Sequence, residues 1–415
     1  DLAWRKYPSE HTYAPLVRRS TDVEGTGHNS IVRAPNLVDD WIVYHGRNAS
    51  DPLVPGVEQR TMRIDPLLHT TRCLVTAAPS FLEQDAPAQP EASDDFSAPT
   101  LDSRWDVREG VVRPDEQGLR TGPTERTRVI ERTVSSAYVA EVWLRADRSD
   151  RGARAGVVVA WWSDDDLVEV TADAASGYLI ARRWQHGVGA EIARTPLRRS
   201  QLHNWQQMQV RRVFGRVEVR IGDATMIALD IPESPARFGL VSERTAAMFS
   251  GFALTRHLDL WGRELDLAGS VFIARPRTAV DASGIAAAPG RTLTLETAAD
   301  LSSATVHEFV LPAATSRVVL SPWGDEVRVT VEPDAYVLTG RAGNDARHPL
   351  DPPCADAPSV AVRCTRDGDR ASIQVGRRIH PLTLADSEPA NQRTELTGAR
   401  LTRYEWTAHP TLHHR

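Results

Sequence analysis

Apolar residues along this chain recur in short runs with turn-forming residues between them. Tyr138 to Leu144, Gly156 to Trp162, Leu167 to Thr171, Met208 to Val213 and Val217 to Ile221 are the clearest. Within them apolar positions alternate with polar ones or fill a brief unbroken stretch, the spacing of half-buried and fully buried strands. Helical periodicity is nearly absent. The pattern predicts an all-β chain dominated by sandwiches. Trp205 to Asp223 reads as a hairpin turning at Gly215. The acidic run Asp164-Asp165-Asp166 lies between two strand-like segments and reads as a hairpin turn, with calcium binding as the alternative. Asp94 and Asp95, which open the next strand-rich stretch, carry the same alternative.

The N-terminal part reads as a strand pair. Ser30 to Arg33 is one strand, Pro35 to Asp40 a polar break, and Trp41 to Tyr44 a second, strongly apolar strand. Gly25 and Gly27 bracket Thr26 just before His28, which predicts a sharp turn delivering the imidazole from a strand start. His28 then either bonds a neighbouring carbonyl or does polar work. Thr76 to Ser93 is rich in Ala, Pro and acidic residues and reads as a linker. These boundaries predict a strand-rich unit over 1–80, a linker over 81–93, a β-sandwich over 94–257 and a second, divergent sandwich over 258–411. Three echoes in the same order suggest the second copy. Trp162-Ser163-Asp164 with LVEVT matches Trp323-Gly324-Asp325 with EVRVTV, the hairpin around Gly215 matches Val362 to Gly376, and SGFALTR matches TGARLTR.

At 415 residues two or three domains are expected. The net charge of −6 argues against nucleic acid as a partner. No apolar run is long enough for a membrane-spanning helix, so no membrane partner is expected. Basic residues are almost all arginine, Lys6 being the one lysine. Cys73, Cys354 and Cys364 form no metal-binding pattern; the last two could bridge a loop or remain free thiols. Trp161, Trp162, Trp184 and Trp205 could form a sugar-stacking face or pack in a core. Adjacent strand residues point to opposite faces, so at least one of Trp161 and Trp162 should be core. His409, His413 and His414 sit in a terminal tail without a partnered cluster.

The order of GTGHNS, a strand ending in Tyr44-His45, Glu58-Gln59-Arg60 and MRIDPL from Met62 to Leu67 resembles the last blade of the five-bladed propeller of glycoside hydrolase family 43. The resemblance covers about residues 1–80; His69 departs from it, standing where the family usually has Trp. It implies that His28 lies near the propeller axis and helps to hold a central metal ion, often calcium. It implies that Arg60 faces the sugar-binding subsite. Residues 94–257 resemble the concanavalin-A-like, laminin-G-like sandwiches often appended to these enzymes. The implied activity is inverting hydrolysis of arabinofuranosyl or xylosyl linkages in plant polysaccharides by a secreted enzyme, a cytoplasmic one being the alternative. The catalytic carboxylates would lie on earlier blades, upstream of Asp1, and no catalytic residue is assigned here; Glu10, Asp22 and Glu24 match none of their motifs. A carbohydrate-binding sandwich protein without a catalytic partner is the rival reading.

Overall fold

The computed structural model describes residues 16–57, 59–69, 74–81, 86–146, 152–173, 175–197, 204–222 and 225–261, and a series of shorter runs between 272 and 408. Glu10, Glu58, Cys73, Trp323, Gly324, Asp325, Cys354, His409, His413 and His414 lie outside them. Every regular element among the described residues is a β-strand, as the alternating pattern requires. The chain divides into two compact units, residues 1–89 with 258–415, and residues 90–257.

In the first unit, β1 (Val23–Arg33), β2 (Asp40–Asn48), β3 (Thr61–His69) and β4 (Leu74–Thr76) form an antiparallel meander in chain order. This is the form of a propeller blade. The glycine pair does not make a turn before the first strand, as expected from the sequence. It lies inside β1, which starts seven residues earlier, at Val23 instead of Ser30. The ladder with β2 slips between Glu24 and Gly27 and again between Gly27 and Ser30. Gly25 (φ 62°) and His28 (φ 48°) take up the slack as bulges, so pairing continues on both sides. The polar break is built by Asn36, whose Oδ1 accepts from the Val38 and Asp39 amides at 3.2 and 3.1 Å. His69 finds a partner in Asp40 at 2.9 Å. Burial alone would raise the Asp40 carboxyl, but hydrogen bonds from His69 and Arg33 hold it below the usual range.

Within the same unit, Leu68 and Val75 pack with Ala361 on the strand Ser359–Asp367. Arg363 of that strand pairs with the nearly buried Asp39 at 2.8 Å. Val362 to Gly376 contains the expected hairpin, between Ser359–Asp367 and Arg370–Val375. Cys364 is a buried free thiol, and burial raises it above its ordinary value.

The second unit is a sandwich. One sheet runs, edge to edge, through Val188–Pro196, Tyr178–Gln185, Asp166–Asp173, Arg154–Ser163, Ala236–Glu243, Thr127–Ser135 and Trp105–Glu109. The facing sheet carries Thr225–Asp230, Arg216–Ile221, Gln206–Val213, Ala137–Ala146 and Ala247–Trp261 in that order. Between them lies an aromatic core in which Phe252 meets Trp105 at 4.8 Å and Phe238 at 5.6 Å between ring centres. One end of the sandwich is closed by a buried cation. Arg212 has no exposed surface and donates to four carbonyls: Phe214 at 3.1 Å, Ser135 at 3.1 Å, Pro232 at 3.2 Å and Ser234 at 2.7 Å. Four oriented dipoles replace the carboxylate that a buried charge otherwise requires.

Candidate functional site

The bulges in β1 decide what the blade presents. They turn His28 outward beside β2, where its ring meets His45 edge-on with centres 5.8 Å apart. Gly27 pairs directly with His45, and a Cβ there would touch His45 Nε2 at 3.8 Å. Arg60, just before β3, donates from Nη1 to His45 Nε2 at 2.7 Å. A guanidinium can only donate, so Nε2 accepts and the proton of a neutral His45 sits on Nδ1. His28 and Arg60 are both exposed.

The two residues assigned from the sequence therefore come together, and His45 joins them. Sequence reasoning treated His45 as the end of an apolar strand. The ladder shows its role, since only the register places it between His28 and Arg60. Glu24 pairs with Arg47 at the opening of the meander. Asp65, inside the sheet, accepts from the Tyr44 hydroxyl at 2.7 Å and holds that phenol protonated well above its ordinary value, with burial the larger cause.

Calcium takes oxygen ligands. The cluster offers two imidazoles beside a guanidinium, and no group of three or more His, Cys, Asp or Glu is placed to hold a metal among the described residues. Alone it does not fit a calcium site. His28 could serve only as a single nitrogen ligand to an ion held mainly by other groups.

In the sandwich four of the acidic candidates have partners. Asp164 receives two hydrogen bonds from Arg108, at 3.0 and 2.6 Å, and Asp166 pairs with Arg183. Asp94 accepts from the Phe96 amide at 2.7 Å and the Trp105 indole at 3.0 Å, and Asp95 from the Ser97 amide at 2.9 Å. These are turn and packing contacts.

The tryptophans divide by face. Trp162 packs partly into the main core, while Trp161 and Trp184 pack against Ile130, Val158, Leu167 and Val241 on the opposite face of the seven-stranded sheet. That outward face is sealed by cations. Arg126 and Arg128 lie over Trp184 at 4.1 and 4.9 Å, and Arg237 and Arg108 over Trp161 at 4.9 and 5.4 Å. The guanidiniums share two buried carboxylates. Glu243 binds Arg126, Arg154 at 3.2 Å and Arg182 at 2.9 Å; Glu169 lies 3.4 Å from Arg128. Burial raises the Glu169 carboxyl, which Arg128 opposes and the charge of Glu243 reinforces.

No family profile matches the sequence. No curated protein matches it either. Solved structures give distant superpositions. A carbohydrate-binding module of family 66 from Bacillus subtilis aligns at TM-score 0.34 and 15% identity, over 36% of this chain and 94% of that one. The family 43 glycoside hydrolase protein BlXynB from Bacillus licheniformis aligns at 0.34 and 17%, over 58% and 55%. A xylan β-1,4-xylosidase from Bacillus halodurans C-125 aligns at 0.34 and 18%, over 59% and 56%. The chain thus spans just over half the length of those two hydrolases. At such scores the likeness bears on neither family nor activity. Among the described residues no helix is long and apolar enough to cross a membrane.

Proposed function

We propose that β1–β4 are the closing blade of a glycoside hydrolase propeller that cleaves arabinofuranosyl or xylosyl linkages in plant polysaccharides. The observation that carries this reading is the grouping of His28, His45 and Arg60 across β1, β2 and the entry to β3, on the residues that bear the resemblance to family 43.

The chemistry follows from the donor set. His45 anchors one nitrogen of Arg60, which fixes the plane of the guanidinium. A fixed planar donor suits vicinal sugar hydroxyls or a carboxylate. His28 adds an exposed imidazole that can accept from a hydroxyl or water, or ligate an ion. None of the three abstracts a proton from water or protonates a leaving oxygen in an inverting reaction. Those steps need two carboxylates separated by room for a water, and in the resembled family other blades supply them. Calcium rests on the resemblance alone, as an ion held mainly by other groups with His28 as one ligand. So does an extracellular location, where such polysaccharides occur.

The test is turnover of aryl α-arabinofuranosides and aryl β-xylosides by the complete polypeptide that contains these residues. Replacing Arg60→Ala should lower kcat/KM roughly 10- to 100-fold, the loss of one charged hydrogen bond in a binding site. The 415-residue chain alone should leave both substrates intact. Turnover by the chain alone, or an Arg60→Ala enzyme with unchanged kcat/KM, would overturn the reading.

A further inference from the structure

The facing sheet of the sandwich turns a different surface outward. Along Ala137–Ala146, Tyr138, Ala140, Val142 and Leu144 point into the core, so Glu141, Trp143 and Arg145 point away. Trp143 is 41% exposed, unusual for an indole at the centre of a sheet. It lines an open cavity of about 480 Å³ with Trp205, Gln117 and Ser250. That volume lies within the range of small-ligand sites.

The cavity is shaped by a backbone device. The ladder between Ala137–Ala146 and Ala247–Trp261 slips between Glu141 and Trp143. Gly251 sits opposite the slip with φ of 59°, and a Cβ there would press on Trp143 Cδ1 at 3.2 Å. A glycine in the left-handed region lets the indole lie against the sheet.

Its polar groups converge. Arg145 Nη2 donates to Gln117 Oε1 at 2.7 Å, which fixes the amide and leaves its two N–H donors available. The same guanidinium lies 5.1 Å over Trp205. Arg145 Nε is buried and has no hydrogen-bond partner. Ser250 adds a hydroxyl that can donate or accept. Trp161, Trp162 and Trp184 each lie under two guanidiniums. Trp143 lies under none among the described residues, so its indole is open to a ligand.

We infer that this cavity is a binding site for a neutral saccharide. The C–H face of a sugar ring stacks on Trp143 and Trp205, while ring hydroxyls accept from the Gln117 amide and exchange with Ser250. A purely apolar ligand would leave those donors unsatisfied. The site uses no residue of the blade and needs no turnover, so it stands or falls apart from the hydrolase reading.

Calorimetric titration of the full chain with xylohexaose, arabinohexaose and cellohexaose tests it, with indole as the apolar control. At least one hexasaccharide should bind. Trp143→Ala and Trp205→Ala should each weaken that binding at least tenfold, and Gln117→Ala several-fold, with melting temperatures close to wild type. No binding of any hexasaccharide would overturn the inference. So would unchanged affinity in Trp143→Ala, or loss of binding only in Arg60→Ala, which would move the sugar to the blade. Indole displacing the sugar without any effect of Gln117→Ala would reduce the cavity to an apolar pocket and also overturn it.

Discussion

The two outward faces of the sandwich carry the same residue types and use them in opposite ways. On the seven-stranded sheet, Trp161 and Trp184 are roofed by arginines that are themselves tied to Glu169, Glu243, Asp106 and Asp164. On the facing sheet, Trp143 stands open, and Arg145 beside it is held by the Gln117 amide instead of a carboxylate. An exposed-looking cluster of Trp and Arg is therefore not a binding signature by itself. What separates the faces is whether carboxylates within the sheet have already claimed the guanidiniums. Where they have, the aromatic faces are occupied by the protein's own cations. Where they have not, an indole is left open for something else.

The largest expected break in this comparison is Glu243→Ala. It strips one partner from Arg126, Arg154 and Arg182 together, in a site where the carboxylate is almost fully buried. Loss of one member of a buried ionic network costs about 3–5 kcal/mol, to be read as a fall in the denaturant midpoint of the 90–257 unit. A smaller effect is expected from acid. Hydrogen bonds from Arg132 and Arg237 hold the Asp106 carboxyl below its ordinary range. A depressed carboxylate stabilises the fold above its unfolded pKa, and that contribution is lost as pH falls through the folded value. The sealed face should therefore weaken below about pH 4, and Asp106→Asn should flatten that part of a stability-versus-pH curve. Glu169, raised by burial, works in the reverse sense and shares the same plot. An Asp106→Asn curve that overlays wild type would remove the acid component from this face. The smallest effect belongs to the open face: Trp143→Ala should change unfolding free energy by less than about 0.5 kcal/mol, as exposed positions do. A loss of several kcal/mol would show that Trp143 is structural and that the two faces are alike.

Much of this was legible in the chain. Alternation gave the strands, the turn at Gly215 and the hairpin between Val362 and Gly376, because side-chain period follows directly from the pleat. The GTGH stretch showed that something unusual happens at His28, but not what. Bulges alter register by single residues, and register comes from pairing that local sequence does not encode. The same limit hid His45, which matters only through its cross-strand neighbours. Trp143 is a different case, since its signal was present and overlooked. In AYVAEVWLRA it falls in phase with Glu141 and Arg145, so alternation alone marks it as an outward indole. The adjacent Trp161 and Trp162 are the more conspicuous pair in the sequence, yet arginines lie over both. The arginine caps could not be read from sequence, because a chain with 49 basic residues offers too many candidate pairings.

The four carbonyls around Arg212 have a consequence for engineering the domain. One side chain gathers the turn at Ser135, the hairpin tip at Phe214 and the bend through Pro232 and Ser234. These three loops, separate in sequence, form a single fastening. A foreign segment spliced into any of them would loosen the other two and strand a positive charge in the interior. The hairpin tip at His186-Gly187 is exposed, and both tip residues already take left-handed backbone angles. A tag or a second module grafted at that tip should leave the sandwich standing, whereas the same graft at the Arg212 end should unfold it.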